Sequence, residues 1–356
     1  MSDTQYAIRF ANDLMERFPH PNDYPFKSWC YAQGFYLWGF IKLYEKTGDE
    51  RYRQYVENYG RRHVKKDGFV PDFCGDSLDN IMPGSVLCWL YEKTKDPRYE
   101  KACRYVRKSF EEYPRLEEGS FYHAKGLTGQ LWVDGLFMGG MFLLWYGKVF
   151  GDRTCFDEVT KQLTLAFKYC RKDSTGLLYH AYDETGRTSW SSPVDGRSRE
   201  VWSEGLGWYA LILAEAIAIL PQDTPKRSDI IEQYNALIRD LCKVQADGNV
   251  GLWYQVVDKP GLAENFHDTS GSAMFTYSLK RGLDLGVLKG TVIEQSIVNG
   301  YRGIRSKVVD GLGGLHVLDA CNGLGVQDSY ADYVHFPKTV DAQEAVAAVL
   351  WALVVE

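Results

Sequence analysis

A lone carboxylate in an apolar run is the first candidate for chemistry. In "LWVDGLFMGGMFLLWY" (131–146), Asp134 is the one charged side chain. Buried, ionised and unpaired, it would cost several kcal/mol of desolvation, so either a partner relieves that cost or the protein uses the acid. Three other stretches put polar groups where plain packing is a strained account. "DSLDNIMPG" (76–84) holds Asp76, Asp79 and Asn80 just before an apolar helix. Asp76 reads as a helix cap, whereas Asp79, three residues further in, is less needed for capping. For Asp134 cap and catalyst both stay open. "GLLYHAYDETG" (176–186) carries His180 and Asp183; a single loop histidine is commonly structural. "SWSSPVDGRSREVWSEGLGWY" (189–209) sets Trp190, Trp202 and Trp208 around Ser, Arg and Glu204, as core or as a stacking wall for a sugar ring.

Carboxylates converging on one pocket would suit general acid/base work on a saccharide. Competing chemistries lack their motifs. There is no GxSxG, no GxxxxGK[ST] and no HExxH, and the seven His are too dispersed to read as metal ligands.

The elements that must position these groups are repeated. "YEKTGDERY" (44–52) recurs as "YEKTKDPRY" (91–99), with a looser copy, "YGKVFGDRTCF", at 146–156. Each copy ends an aromatic-rich apolar helix and opens an amphipathic one, with Asp at the turn as a helix-start signal. The same layout returns at 207–245 and 271–307. Each amphipathic helix closes in a Gly-containing loop rich in aromatics and His, such as "EEGSFYHAKG" (117–126) and "DGLGGLHVLDACNG" (310–323). Hairpin alternation puts those loops at one end of the molecule. The count is about twelve helices, six inner and six outer, in hairpins that cannot bury their apolar faces alone. The inner helices are apolar nearly all round, as helices surrounded by protein are. The expectation is an all-α fold, an (α/α)6 toroid forming a single domain over residues 1–356.

Composition excludes other classes. The net charge of -6 and the lack of any basic cluster longer than "RRHVKK" argue against a nucleic-acid partner. "MSDTQYAIRFANDLMERF" has no basic region followed by an apolar core, so no signal peptide is expected. No uncharged run reaches the roughly 18 residues of a membrane span. The eight Cys form no CxxC or CxxH pattern. Reduced thiols and a cytoplasmic protein are expected, and no feature specifies an oligomeric state. With 24 Tyr and 10 Trp, the aromatic content allows either heavy core packing or sugar stacking.

Taken together and in order, "SLDNIMPG", "LWVDGLFMGGMF", "GLLYHAYDE", "WSSPVDGRSREVWSEGLGWY" and "HDTSGSAMFTYSLKRG" resemble the unsaturated glucuronyl and rhamnogalacturonyl hydrolases of glycoside hydrolase families 88 and 105, more closely the latter. The resemblance covers roughly residues 25–285 and is poor after about 286. It implies a hydrolase that removes a Δ4,5-unsaturated uronic acid from the non-reducing end of lyase-generated oligosaccharides, rhamnogalacturonan-type first. The C4=C5 bond is hydrated and no cofactor or metal is implied. By the resemblance Asp134 is the acid that protonates C4 and then the base that activates water. Asp79 orients hydroxyls and shares charge, and His180, Trp202 and Trp208 line the sugar site. Asn80, Trp190, Lys125 and Glu204 complete the candidate set. One departure matters. The family pattern is Trp-x-Arg-Gly-x-Gly-Trp, and here it reads "WSEGLGW", with Glu204 at the Arg position. Two readings follow. Lys125, Arg197 or Arg199 supplies the missing cation, or Glu204 is a third acid in a conventional inverting glycosidase that uses Asp134 or Glu204 with Asp79. A non-catalytic solenoid binding a glycan or protein is the alternative outside enzymology.

Overall fold

A computed structural model describes residues 3–25, 29–247 and 249–356. In chain order the helices are α1 (Asp3–Arg17), α2 (Tyr31–Thr47), α3 (Glu50–His63), α4 (Leu78–Ile81), α5 (Gly84–Thr94), α6 (Pro97–Lys108) and α7 (Val133–Phe150). They continue as α8 (Arg153–Cys170), α9 (Ser203–Ile219), α10 (Arg227–Val244), α11 (Thr269–Asp284), α12 (Thr291–Ser306), α13 (Tyr330–Val334) and α14 (Gln343–Val355). Six of them, α2, α5, α7, α9, α11 and α14, pack each against the next, and α14 returns to α2. The ring is closed: the fold is an (α/α)6 barrel. Its outer layer is α3, α6, α8, α10 and α12, and the sixth place is taken by α1, which packs on α14. The two ends of the chain therefore meet in one hairpin.

The repeated signature has a local physical cause. Asp49, Asp96 and Asp152 are the N-caps of α3, α6 and α8, and each accepts a hydrogen bond from the backbone N–H two residues on. A cap of this kind contributes about 1 kcal/mol. The inner helix before each cap ends in a left-handed residue, Gly48, Lys95 or Gly151. Tyr24, Phe35 and Trp351 exemplify the core, and every residue of α9 from Ser203 to Ile217 is buried. Such a helix cannot be amphipathic, because it has no solvent face.

Four two-stranded ribbons ornament the loop end: β1 (Gln130–Trp132) with β2 (Ala181–Asp183), β3 (Trp253–Tyr254) with β4 (His267–Asp268), β5 (Val308–Gly311) with β6 (Gly314–Val317), and β7 (Ala320–Cys321) with β8 (Lys338–Thr339). They help tie the start of one inner helix to the loop of the next hairpin. Leu78 N–H donates to His123 O at 3.0 Å, Val133 N–H to His180 O at 3.0 Å, Ser203 N–H to Gln255 O at 2.9 Å, and Thr269 N–H to Asp319 O at 3.0 Å. A helix start needs partners for its first N–H groups. At α7 and α9 the N-caps Trp132 and Trp202 make no side-chain cap bond, so a neighbouring carbonyl does part of that work. The acids of the first turn are thereby released for other use.

Candidate active site

Each inner-helix start contributes a polar group to the loop end. Tyr31 opens α2, Asp79 lies in α4 just ahead of α5, and Asp134, Glu204 and Glu344 are the second residues of α7, α9 and α14. Ser270 stands in the same place on α11, beside its N-cap Asp268. A pocket of about 160 Å³ lies among them, lined by Tyr31, Asp79, His123, Asp134, Glu204 and the glycines Gly323 and Gly325, with walls of Trp132, Met138, Trp202, Trp208 and Leu324. Beneath it Trp208 packs on Phe35 and Phe137, with ring centroids 4.5 and 4.9 Å apart. The floor is thus dry and aromatic.

His123 sits between the two aspartates. Its Nδ1 is 3.6 Å from Asp134 Oδ1 and its Nε2 is 3.6 Å from Asp79 Oδ2. Those are ion-pair distances, longer than hydrogen bonds. Bridged by one imidazole, the two carboxyl groups lie no more than about 9.5 Å apart, within the reach of paired glycosidase acids. Trp132 stacks on the His123 ring, centroids 4.5 Å apart and 14° between planes. Burial alone would lower the His123 pKa, but the charges of Asp134 and Asp79 prevail and raise it to about 9. It is a cation at neutral pH.

The two aspartates differ. The side chain of Asp134 is 14% exposed and that of Asp79 34%, so desolvation falls on the former. Burial raises the Asp134 pKa to about 6, against the opposing charge of His123 and with a further rise from Asp79. Asp134 Oδ1 also accepts the N–H of Gly135 at 2.8 Å, so the residue is in part a helix-start group as well as a pocket acid. On the far wall Glu204 is buried, and its carboxyl is pushed well above its ordinary range by burial and then by Glu344 and Asp268. Tyr31 donates to Glu344 Oε1 at 2.5 Å.

Of the residues singled out from sequence, Asp79, Asp134, Trp202, Glu204 and Trp208 come together in the pocket lining. His180 lies just behind it, its ring tilted on Trp202 at 4.4 Å and its Nδ1 2.8 Å from Tyr333 Oη; its Nε2 is buried without a hydrogen-bond partner. Burial, and next His123, drive its pKa well below the usual value, so it is a neutral imidazole. Asn80 lies outside the lining: its Oδ1 accepts from Cys74 N and Gly75 N at 2.9 and 2.8 Å, which clamps the preceding loop. Trp190 is buried away from the lining, and Lys125 is exposed with Nζ over the Tyr113 ring at 5.8 Å. Arg197 donates to Tyr169 O at 2.7 Å, and neither it nor Arg199 lines the pocket. Asp183 organises its own turn, accepting from Thr185, Arg187 and Thr188.

His123, Tyr31, Glu344 and the glycine loop were not assigned from sequence. Glu344 had a legible signal, since "AQEAVAAVLWAL" places an acid just inside an apolar helix, as "WVDGLF" and "WSEGLGW" do. His123 had only its place in an aromatic loop. Among the described residues no group of three His, Cys, Asp or Glu is arranged to hold a metal ion, and no helix is long and apolar enough to cross a membrane.

A closed ring of helical hairpins, with acids from its inner-helix starts converging on an aromatic pocket, defines a glycoside hydrolase of the six-hairpin class. The chain belongs to Glycosyl Hydrolase Family 88, whose family model matches residues 6–355. A solved glycoside hydrolase of family 105 from C. acetobutylicum superposes with a TM-score of 0.91 at 30% identity, covering 98% of each chain. The unsaturated rhamnogalacturonyl hydrolase YesR of Bacillus subtilis is 25% identical over 252 residues, 69% of this chain and 68% of that protein. A 24.9 kDa protein of the picA locus of Rhizobium radiobacter is 34% identical over 167 residues, 47% of this chain and 70% of its own length. The family match runs through the segment after 286, which the sequence motifs had left apart. That segment supplies Gly323, Leu324, Gly325 and, packed behind them, Tyr333 and Glu344.

Proposed function

We propose that the protein removes a Δ4,5-unsaturated uronic acid from the non-reducing end of lyase-generated oligosaccharides, rhamnogalacturonan-type first, by hydrating the C4=C5 bond. The observation that carries this reading is Asp134, a carboxyl group buried in the pocket wall, 3.6 Å from His123, with a pKa of about 6 that leaves it about half protonated near pH 6 and about a tenth protonated at pH 7. Protonating a vinyl-ether carbon needs such an acid, and apolar walls with a second carboxylate nearby supply it. Asp134 donates its proton to C4, and the positive charge that develops at C5 and the ring oxygen falls among Asp79, Asp134 and the aromatic wall. Water then adds at C5 as Asp134 takes back a proton. The resulting hemiketal opens and expels the aglycone. Asp79, flanking the same imidazole, orients the sugar hydroxyls and shares the charge. The name of YesR, an unsaturated rhamnogalacturonyl hydrolase, supports the substrate class. The eight free cysteines support a reducing compartment, with short oligosaccharides as the substrate after import.

The test is a panel of unsaturated rhamnogalacturonan and glycosaminoglycan disaccharides, following loss of the conjugated-alkene ultraviolet absorbance. Turnover with rhamnogalacturonan disaccharide preferred is expected. Turnover of saturated glycosides without consumption of any alkene would instead establish the conventional inverting reading.

A further inference from the structure

A uronic acid is an anion, and this pocket is ringed by acids. Among the described residues its lining contains no Lys or Arg, and the cation found there, His123, already faces Asp79 and Asp134. The groups around Glu204 are Asp134 from α7, Asp268 and Ser270 from the start of α11, Glu344 from the start of α14, Tyr31 from α2, Cys321 from β7 and the neutral His180. None of them is a cation.

The protons at this cluster can be counted. Ser270 Oγ lies 2.8 Å from Glu204 Oε2 and also 3.0 and 2.9 Å from the two oxygens of Asp268. A hydroxyl has one proton to donate, so it serves one carboxylate and the other contact needs a proton on a carboxyl. Burial raises the Asp268 carboxyl as well, but Asp268 accepts the N–H groups of Ser270 and Gly271 at the start of α11, which offset part of that rise, whereas Glu204 is pushed well above its ordinary range. The proton therefore belongs on Glu204. Glu344, its Oε2 buried without a partner, adds a second acid that resists ionisation alongside it.

We propose that Glu204 meets the bound sugar as a neutral carboxyl group, a specificity-determining residue that lets an anionic sugar enter a pocket whose described lining holds no Lys or Arg. With its proton on Ser270, Glu204 accepts a hydrogen bond from a sugar hydroxyl without repelling the uronate carboxylate. This rests on the uronyl hydrolase reading above.

The experiment measures kcat and KM separately from pH 5.5 to 9.5 for the wild type, Glu204→Ala and Glu204→Gln on an unsaturated disaccharide, with melting temperature as the check on folding. Glu204→Ala is expected to raise KM about tenfold, the loss of one hydrogen bond to the sugar. The conservative Glu204→Gln restores the wild-type KM. At alkaline pH the ratio of the wild-type KM to that of Glu204→Gln climbs, up to about tenfold per pH unit once Glu204 ionises, whereas loss of the His123 charge near pH 9 acts on both enzymes and cancels in the ratio. A folded Glu204→Gln whose kcat falls more than about a hundredfold would overturn the proposal, because an ionisable carboxyl would then be part of the chemistry. A ratio of the two KM values that stays flat to pH 9.5 would overturn it too. Hydrolysis of saturated glycosides with the alkene untouched would overturn the uronyl reading itself, and this inference with it.

Discussion

Replacing His123 by Asn tests the electrostatics of the site at its hinge. In the wild type the imidazolium stands 3.6 Å from each aspartate. At that distance a unit charge is worth about 4–5 kcal/mol at an effective dielectric of 20, an upper bound on the gross interaction. Measured effects of one close opposite charge are about 1–3 pKa units. Asn keeps polar atoms near both carboxyls but removes the charge. The Asp134 pKa, held to about 6 by that charge, should rise accordingly, to roughly 7–9. The assay is the pH dependence of kcat for alkene loss. Because Asp134 acts as the acid, its alkaline limb should move up by about 1–3 units. A limb that stays within a few tenths of a unit, or moves down, would show that the His123 charge does not set the Asp134 proton affinity. Stability carries a second readout with its own sign. His123 has a folded pKa of about 9, above the ordinary histidine value, so its contribution is complete below about pH 6.5 and is lost as pH rises through 9. The melting-temperature gap between wild type and variant should therefore be widest near neutral pH, where Asp134 is still ionised, and close as pH rises through 9.

Two further substitutions probe positioning and scaffold. A Cβ at Gly135 would stand 2.8 Å from His123 Nδ1 and 3.0 Å from Leu78, so Gly135→Ala should displace the imidazole. A tenfold or greater fall in kcat with a melting temperature lowered by only a few degrees is expected, from rates and calorimetry on the same samples. At the opposite end of the barrel Lys42 pairs with Glu215 at 3.1 Å under the Trp351 ring, 4.3 Å from its centroid. Lys42→Met leaves the buried Glu215 carboxylate to the Tyr277 hydroxyl and the charge of Arg281, so denaturant unfolding should show a loss of up to about 3 kcal/mol while KM of the surviving folded enzyme is unchanged.

Much of this site could be read from sequence because the informative residues break a local pattern. Asp134 and Glu204 are acids inside apolar helices, and Asp79 sits past the position a cap would take. The hairpin repeat was legible for a similar reason: an N-capping Asp and a left-handed residue recur at the first three handovers from an inner helix to an outer one. What stayed hidden depends on contacts between distant segments. His123 matters because it bridges two carboxylates on different helices, and nothing within "SFYHAKG" encodes that. Glu344 joins the site only through closure of the ring, when α14 returns to α2 at the far end of the chain. The same closure, not any local signal, makes α1 the outer partner of α14. Asn80 shows the converse. Its neighbour Asp79 lines the pocket, but one step along a helix turns its amide to the 72–75 loop.

The central claim is that Asp134 delivers a proton to a sugar carbon. Turnover of an unsaturated disaccharide in deuterium oxide, with the released sugar examined by mass spectrometry and NMR, tests it most directly. At early times, before enolisation next to the new C5 ketone exchanges the second hydrogen, the wild-type product should carry one carbon-bound deuteron at C4, and Asp134→Asn should give no product. Release of the aglycone with no deuterium on carbon, or full activity in Asp134→Asn, would contradict it.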